Sequence, residues 1–141
     1  MSRILAIDYG TKRTGLAVTD PMKMIATPLE TVPSAKVLLY LEDYLKKEPV
    51  ELFVIGMPKT LENKDSENAK FVKLFIIQLE KKFPGTPISP IDERFTSSMA
   101  KDAMIAGGMK KKDRRDKSNV DRISATIILQ SYLEKANNGF V

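Results

Sequence analysis

Four acidic residues stand where solubility alone does not account for them: Asp8, the neighbours Asp92 and Glu93, and Asp121. In the run ILAIDYG, two-residue alternation places Ile4, Ala6 and Asp8 on one strand face and Leu5, Ile7 and Tyr9 on the other. An ionised carboxylate among core residues is costly unless a cation or hydrogen-bond donors satisfy it. A metal ion is one solution, and acceptance of turn N–H groups near Gly10 is the other. Asp92 and Glu93 fall where the strand-like PISPI gives way to a helix, the place where open sheets with helical crossovers form ligand crevices. Acids at a helix start also stabilise the helix dipole by about 0.3 to 1 kcal/mol without any function. Asp121 has the S-x-x-D spacing of a capping box with Ser118. It also shares a helical side with Ala125, Ile128 and Tyr132, which are suited to pressing on a sheet.

The chain contains no cysteine and no histidine. That removes disulfides, thiolate nucleophiles, sulfur-ligated zinc, imidazole bases and the usual hydrolytic triads. Carboxylates, lysines, hydroxyls and a hard, oxygen-ligated cation such as Mg²⁺ or Mn²⁺ remain. A formal net charge of +5 favours a polyanionic partner. No apolar run approaches the roughly 20 residues of a membrane-spanning helix, and the start MSRILAIDYG lacks the apolar core of a signal peptide. A cytoplasmic protein with no membrane partner is the expectation.

The elements that must position these acids follow closely on one another. At 141 residues the chain fits one domain, 1–141, with one core. Arg3 to Tyr9 and Thr14 to Thr19 read as strands joined by a turn short enough for an antiparallel hairpin. A third strand over Ala26 to Val32 is pushed to a sheet edge by Pro28. Ser34 is expected to cap a helix whose apolar face is Val37, Leu38, Leu41 and Leu45, ended by Pro49. Residues 51–56, ELFVIG, read as a strand buried on both faces. Ser66 opens a helix carrying Val72, Phe75, Ile76, Leu79 and Phe83, and residues 87–92 form a weaker strand. A helix over Thr96 to Ala106, the charged run MKKKDRRDK and a last helix from Ser118 to the Asn137–Gly139 stop complete the chain. Hairpins followed by strand–helix alternation imply an α/β fold: a mixed sheet, its first three strands antiparallel and its last two parallel, flanked by helices.

Four segments, IDYGTKRTGLAVTD, VIGMPKTLENKDSE, DERFTS and KSNVDRISATIILQSYL, stand in an order and spacing that resemble those of the YqgF (RuvX) family over nearly the whole chain. The resemblance implies a ribonuclease H-like fold with a five-stranded mixed sheet. It implies a nuclease of the kind described as acting on pre-16S rRNA or as Holliday-junction-resolvase-like. Matched residue by residue, the family's acidic site falls on Asp8, Glu93 and Asp121. The chain departs from the family at Leu61 to Lys64, where a glycine usually follows the proline, and at Phe95, where leucine is usual. Asn63 tolerates left-handed geometry and so suits such a turn.

The chemistry implied is phosphodiester hydrolysis in which Asp8, Glu93 and Asp121 hold one or two Mg²⁺ or Mn²⁺ ions. Lys12, Arg13, Lys59 and Arg94 are the basic residues expected near phosphate, with Lys110, Lys111, Lys112, Arg114 and Arg115 as a basic arm whose alternative is a solvated loop. The substrate implied is precursor 16S rRNA, with branched DNA as the alternative and ribosomal particles as a further partner. Two other classes stay open. One is an RNA- or ribosome-binding module without catalysis. The other is an ATP-binding domain, since the first hairpin also resembles that of the actin superfamily, although those proteins use two such domains and the chain lacks a G-x-x-x-x-G-K-[ST] loop. Nothing in the sequence marks an oligomer interface.

Overall fold

The computed structural model describes residues 2–57, 69–92 and 117–137, with the side chains of 92, 117–122 and 135–137 outside the description. Five strands form one sheet in the order β3-β2-β1-β4-β5. They are β1 (Arg3–Tyr9), β2 (Arg13–Thr19), β3 (Ala26–Pro33), β4 (Val50–Met57) and β5 (Ile88–Asp92). β1, β2 and β3 pair antiparallel, while β4 runs parallel to β1 and β5 parallel to β4. The helices are α1 (Val37–Lys47), preceded by a 3₁₀ turn Ser34–Lys36, then α2 (Ala69–Lys82) and α3 (Lys117–Asn137). This is the mixed α/β sheet expected from the alternation of hairpins and crossovers. The helix expected over Thr96 to Ala106 and the helix start expected at Ser66 lie outside the described residues.

The sheet has a core on each face because the strands alternate. Leu5 and Ile7 point into a cluster with Leu16, Val18, Phe53 and Ile55, closed by Val37 and Leu41 of α1 and Val72, Phe75 and Leu79 of α2. Ile4 and Ala6 point the other way, into a cluster with Ala17, Val54, Ile91 and the α3 residues Ala125, Ile128, Leu129 and Leu133. Ala6, Ala17 and Ala125 are fully buried, and their small side chains let α3 sit close to the sheet. The apolar side of α3 is therefore the one on which Asp121 stands in the 3.6-residue repeat. Glu42 of α1 meets Lys82 of α2 at 2.7 Å, and this ammonium group is the main reason the Glu42 carboxyl titrates lower than usual.

One helix start differs from the sequence reading. Ser34 does not cap a helix with its side chain, since the 3₁₀ turn that begins there has no side-chain cap bond and its hydroxyl is used elsewhere. α3 is described from Lys117, one residue from the start expected near Ser118.

The outermost strands of the described sheet both contain proline, Pro28 in β3 and Pro90 in β5. β3 also shifts register against β2 between Leu16 and Ala17, which pair with Glu30 and Pro28 and leave Leu29 as the extra residue. The β2–β3 loop is held by one carboxylate: Asp20 accepts from the backbone N–H groups of Met22 (3.1 Å), Met24 (2.9 Å) and Ile25 (2.8 Å). Those bonds, the one from Ile25 foremost, lower the pKa of Asp20 below its usual range. No described helix is long and apolar enough to cross a membrane.

The alanine contact between α3 and the sheet is testable. Ala125→Leu inserts methylenes at a fully buried position and is expected to cost about 1 to 3 kcal/mol. Urea unfolding of the variant should show a lowered midpoint with an unchanged slope, and an unchanged midpoint would contradict the close seating of α3.

Candidate active site

Asp8 stands at the carboxyl end of β1. Ile4 to Ile7 are all buried, and Asp8 follows as the first half-buried position. Two residues beyond Ala6, Asp8 continues the α3-facing file of the strand, and it stands opposite Gly15 in the hairpin. The cause is local. Alternating apolar residues drive β1 into the centre of the sheet, and the polar residue appears where the strand emerges. On the other face the next residue, Tyr9, stacks on Phe75 with ring centroids 4.4 Å apart.

α3 approaches this end with its N-terminal half. Gln130, Leu133 and Glu134 line a groove with Met24, Ile25 and Ala26. Ala26 pairs with Thr19, whose hydroxyl accepts from the Ile4 N–H at 2.9 Å, so the C-terminal half of α3 lies at the start of β1. Asp121 is twelve residues before Leu133, roughly 18 Å back along the helix axis in the direction of Asp8. Along β1, Asp8 is four residues past Ile4, about 13 Å on in that same direction. The backbone of Asp121 thus lies in the helical layer that covers the Asp8 face, at the Asp8 end of it.

β4 and β5 finish at the same edge. Ile7 pairs with Ile55, Ile55 with Pro90 and Met57 with Asp92, so the ends of three parallel strands lie side by side. From β1 to β5 is two strand spacings, about 10 Å. Ile91 packs in the α3-side cluster. Glu93, two residues beyond Ile91 in sequence, lies outside the described residues. Of the three acids matched to the family site, only Asp8 has a described side chain, and among the described residues no three metal-binding side chains gather.

The hairpin turn next to Asp8 is tightly built. The Ser34 hydroxyl donates to the Gly10 carbonyl, and the Ser34 N–H donates to the Lys12 carbonyl at 3.0 Å. Thr14, fully buried, meets the Ser34 hydroxyl at 2.9 Å. Ser34 has one hydroxyl proton, directed at Gly10, so Thr14 is the donor in that pair. A Cβ on Gly10 would come within 2.5 Å of the Arg13 carbonyl oxygen, so only glycine fits there. This network escaped sequence reading, because a hydroxyl pair twenty residues apart leaves no periodic signal. Its only trace is a glycine at the start of a short turn.

Of the basic residues expected near phosphate, Lys12 is exposed on this turn and Arg13 is half-buried at the start of β2. Lys59, Arg94, Lys110, Lys111, Lys112, Arg114 and Arg115 lie outside the described residues, as do the departures at Leu61 to Lys64 and Phe95. The donors available to a cation suit a hard ion: the chain has no imidazole or thiolate, and the Asp8 carboxylate follows two apolar residues on its own file.

The chain is similar to known proteins over nearly its whole length. Residues 2–135 match the family described as RuvX: Holliday junction resolvase. A protein of Parabacteroides distasonis named as a pre-16S rRNA nuclease is 55% identical over 134 residues, covering 95% of this chain and 96% of its own. A relative of the same name from Phocaeicola vulgatus is 57% identical over 134 residues, with the same coverage. One from Amoebophilus asiaticus is 48% identical over the full length of both chains. Among solved structures, RuvC of T. thermophilus in complex with a Holliday junction aligns over 99% of this chain and 98% of its own with TM-score 0.60 and 17% identity. The shared feature at that identity is the ribonuclease H-like fold, as the motif resemblance implied.

The closeness of the turn sets a measurable limit. Gly10→Ala is expected to destabilise by about 1 to 3 kcal/mol. Gly85→Ala, where an added Cβ meets nothing within 4 Å, is expected to stay within about 0.5 kcal/mol of the parent. Urea midpoints of the two variants, measured side by side, check the difference.

Proposed function

Because the chain belongs to the RuvX family, we propose that it is a metal-dependent nuclease, a single ribonuclease H-like domain over residues 1–141, that hydrolyses phosphodiester bonds in precursor 16S rRNA in the cytoplasm. The observation that carries the reading is the position of Asp8: a carboxylate at the emerging end of the central strand, on the face covered by α3, at the edge where three parallel strands end together. The names of the relatives at 48 to 57% identity support RNA as the substrate.

In this reading Asp8, Glu93 and Asp121 hold one or two Mg²⁺ or Mn²⁺ ions. When bound, such ions supply an activated water and neutralise charge at the scissile phosphate, with no need of histidine. The chain's own part is to bind and orient. Lys12 and Arg13 on the hairpin, with Lys59 and Arg94, engage the nucleic-acid backbone, which fixes the register of the substrate without reading its sequence. Lys110, Lys111, Lys112, Arg114 and Arg115 extend that positive surface.

One cleavage panel tests the reading: precursor 16S rRNA, four-way DNA junctions and single strands, each with Mg²⁺ and with Mn²⁺. Precursor rRNA should be cut, and Asp8→Asn, Glu93→Gln and Asp121→Asn should each abolish cleavage while leaving thermal unfolding nearly unchanged. Retained cleavage in all three variants excludes these roles, and preference for junctions moves the substrate to branched DNA.

The basic arm makes a separate prediction. Replacing Lys110, Lys111, Lys112, Arg114 and Arg115 together should flatten the slope of log binding constant against log salt by roughly 0.7 to 0.9 for each phosphate that the arm no longer engages. An unchanged slope in an RNA titration assigns the segment to solvent.

A further inference from the structure

We propose that the hydroxyl relay from Thr14 through Ser34 to Gly10 is a positioning device that holds the β1–β2 turn as a receptor for one backbone phosphate of the nucleic acid. The proposal rests on the reading of the chain as a nuclease and goes beyond it by assigning roles to two residues outside the acidic and basic sets.

The relay reaches past what the sheet itself orders. The last β1–β2 pair is Tyr9 with Thr14, and the last β2–β3 pair is Arg13 with Pro33, so Gly10 to Lys12 lie beyond both ladders. Thr11 and Lys12 are exposed, and holding them contributes nothing to either core. Yet two of this turn's carbonyls, Gly10 and Lys12, are bound by one residue that stands more than twenty positions later in the chain. Order in a surface turn with nothing to bury is what a binding site needs, because it removes the entropy that binding would otherwise have to supply.

The direction of the bonds says what the turn offers. Among the described residues all peptide bonds are trans, so each carbonyl points opposite to the N–H of the same peptide plane. With the Gly10 carbonyl turned to Ser34, the Thr11 N–H faces away from Ser34. The donation by Thr14 to Ser34, and by Ser34 to Gly10, forms a chain in which each bond polarises the next and strengthens the donor at its far end. That donor is the Thr11 N–H, followed in sequence by the exposed Lys12 and three residues after Asp8. A backbone N–H on a turn that also carries an exposed lysine suits a phosphate oxygen.

The test compares the full-length protein with Ser34→Ala, Thr14→Val and Thr14→Ser. Thr14→Val keeps the shape and removes the hydroxyl, whereas Thr14→Ser keeps the hydroxyl. Binding of a fluorescently labelled precursor 16S rRNA fragment is followed across salt concentrations with Ca²⁺ in place of Mg²⁺, alongside thermal unfolding, and Mg²⁺-dependent cleavage is assayed separately. Ser34→Ala and Thr14→Val should raise Kd about five- to tenfold and flatten the salt slope by about 0.7 to 0.9, the value of one neutralised phosphate, while Thr14→Ser binds like the parent. Kd and slope within about twofold and 0.2 of the parent in both hydroxyl-free variants would overturn the proposal, as would equal weakening by Thr14→Ser, which would assign the loss to packing. A parent protein that binds RNA but cleaves nothing sinks the nuclease reading and leaves the relay standing on its binding data. A parent that does not bind RNA sinks both.

Discussion

Burial of β1 on both faces is the constraint from which the rest of the structure follows. Four consecutive residues, Ile4 to Ile7, are buried because β1 lies between an antiparallel and a parallel neighbour with helices above and below. In a strand of period two, a slip by one residue would exchange the faces and drive Leu5 and Ile7 into the space that Ala6, Ala17 and Ala125 keep narrow. That steric cost pins the register. A pinned register in turn decides on which side the first polar residue emerges, so the location of the Asp8 carboxylate is a result of core packing.

Much of this was legible from residue types alone. The bounds of β1 read from alternation agree with those observed, β2, β3 and β5 differ by one residue at one end, and β4 is longer by one residue at each end. The edge position of β3 followed from Pro28, whose missing N–H is tolerated where no further strand must be paired. The helical repeats of α1, α2 and α3 correctly divided buried from exposed: Val37 and Leu41, then Val72, Phe75 and Leu79, then Ala125 and Ile128 face the sheet, with Tyr132 packed beside them. Such patterns are readable because burial acts on every residue of an element at once and leaves a repeat.

Single polar bonds leave no repeat. Ser34 carries the composition of a helix cap, and local chemistry predicts that role. The hairpin turn is a competing acceptor that becomes available only when β2 and β3 are paired, and it takes the hydroxyl. The same holds for Asp20, whose three backbone partners lie within five residues, yet whose loop conformation also requires Lys23 at φ 61, which the sequence around it does not announce. Legibility of the site is accordingly uneven. The sheet and α3 supply the frame for Asp8 and for the backbone of Asp121, while Glu93 and most of the basic residues belong to stretches that rest on motif similarity alone.

The prolines at the two sheet margins have a further consequence. A β-sheet ends in a row of unmatched donors and acceptors, and such a row recruits strands from other molecules. Here one margin is broken by Pro28 and by the displaced Leu29, the other by Pro90, so neither presents an unbroken comb of amides to a stranger. Sheet-to-sheet polymerisation is thereby discouraged at both flanks of the described sheet. Crowded intermolecular encounters must then be settled by side chains on the helical layers, which can be tuned by charge without disturbing the backbone ladder.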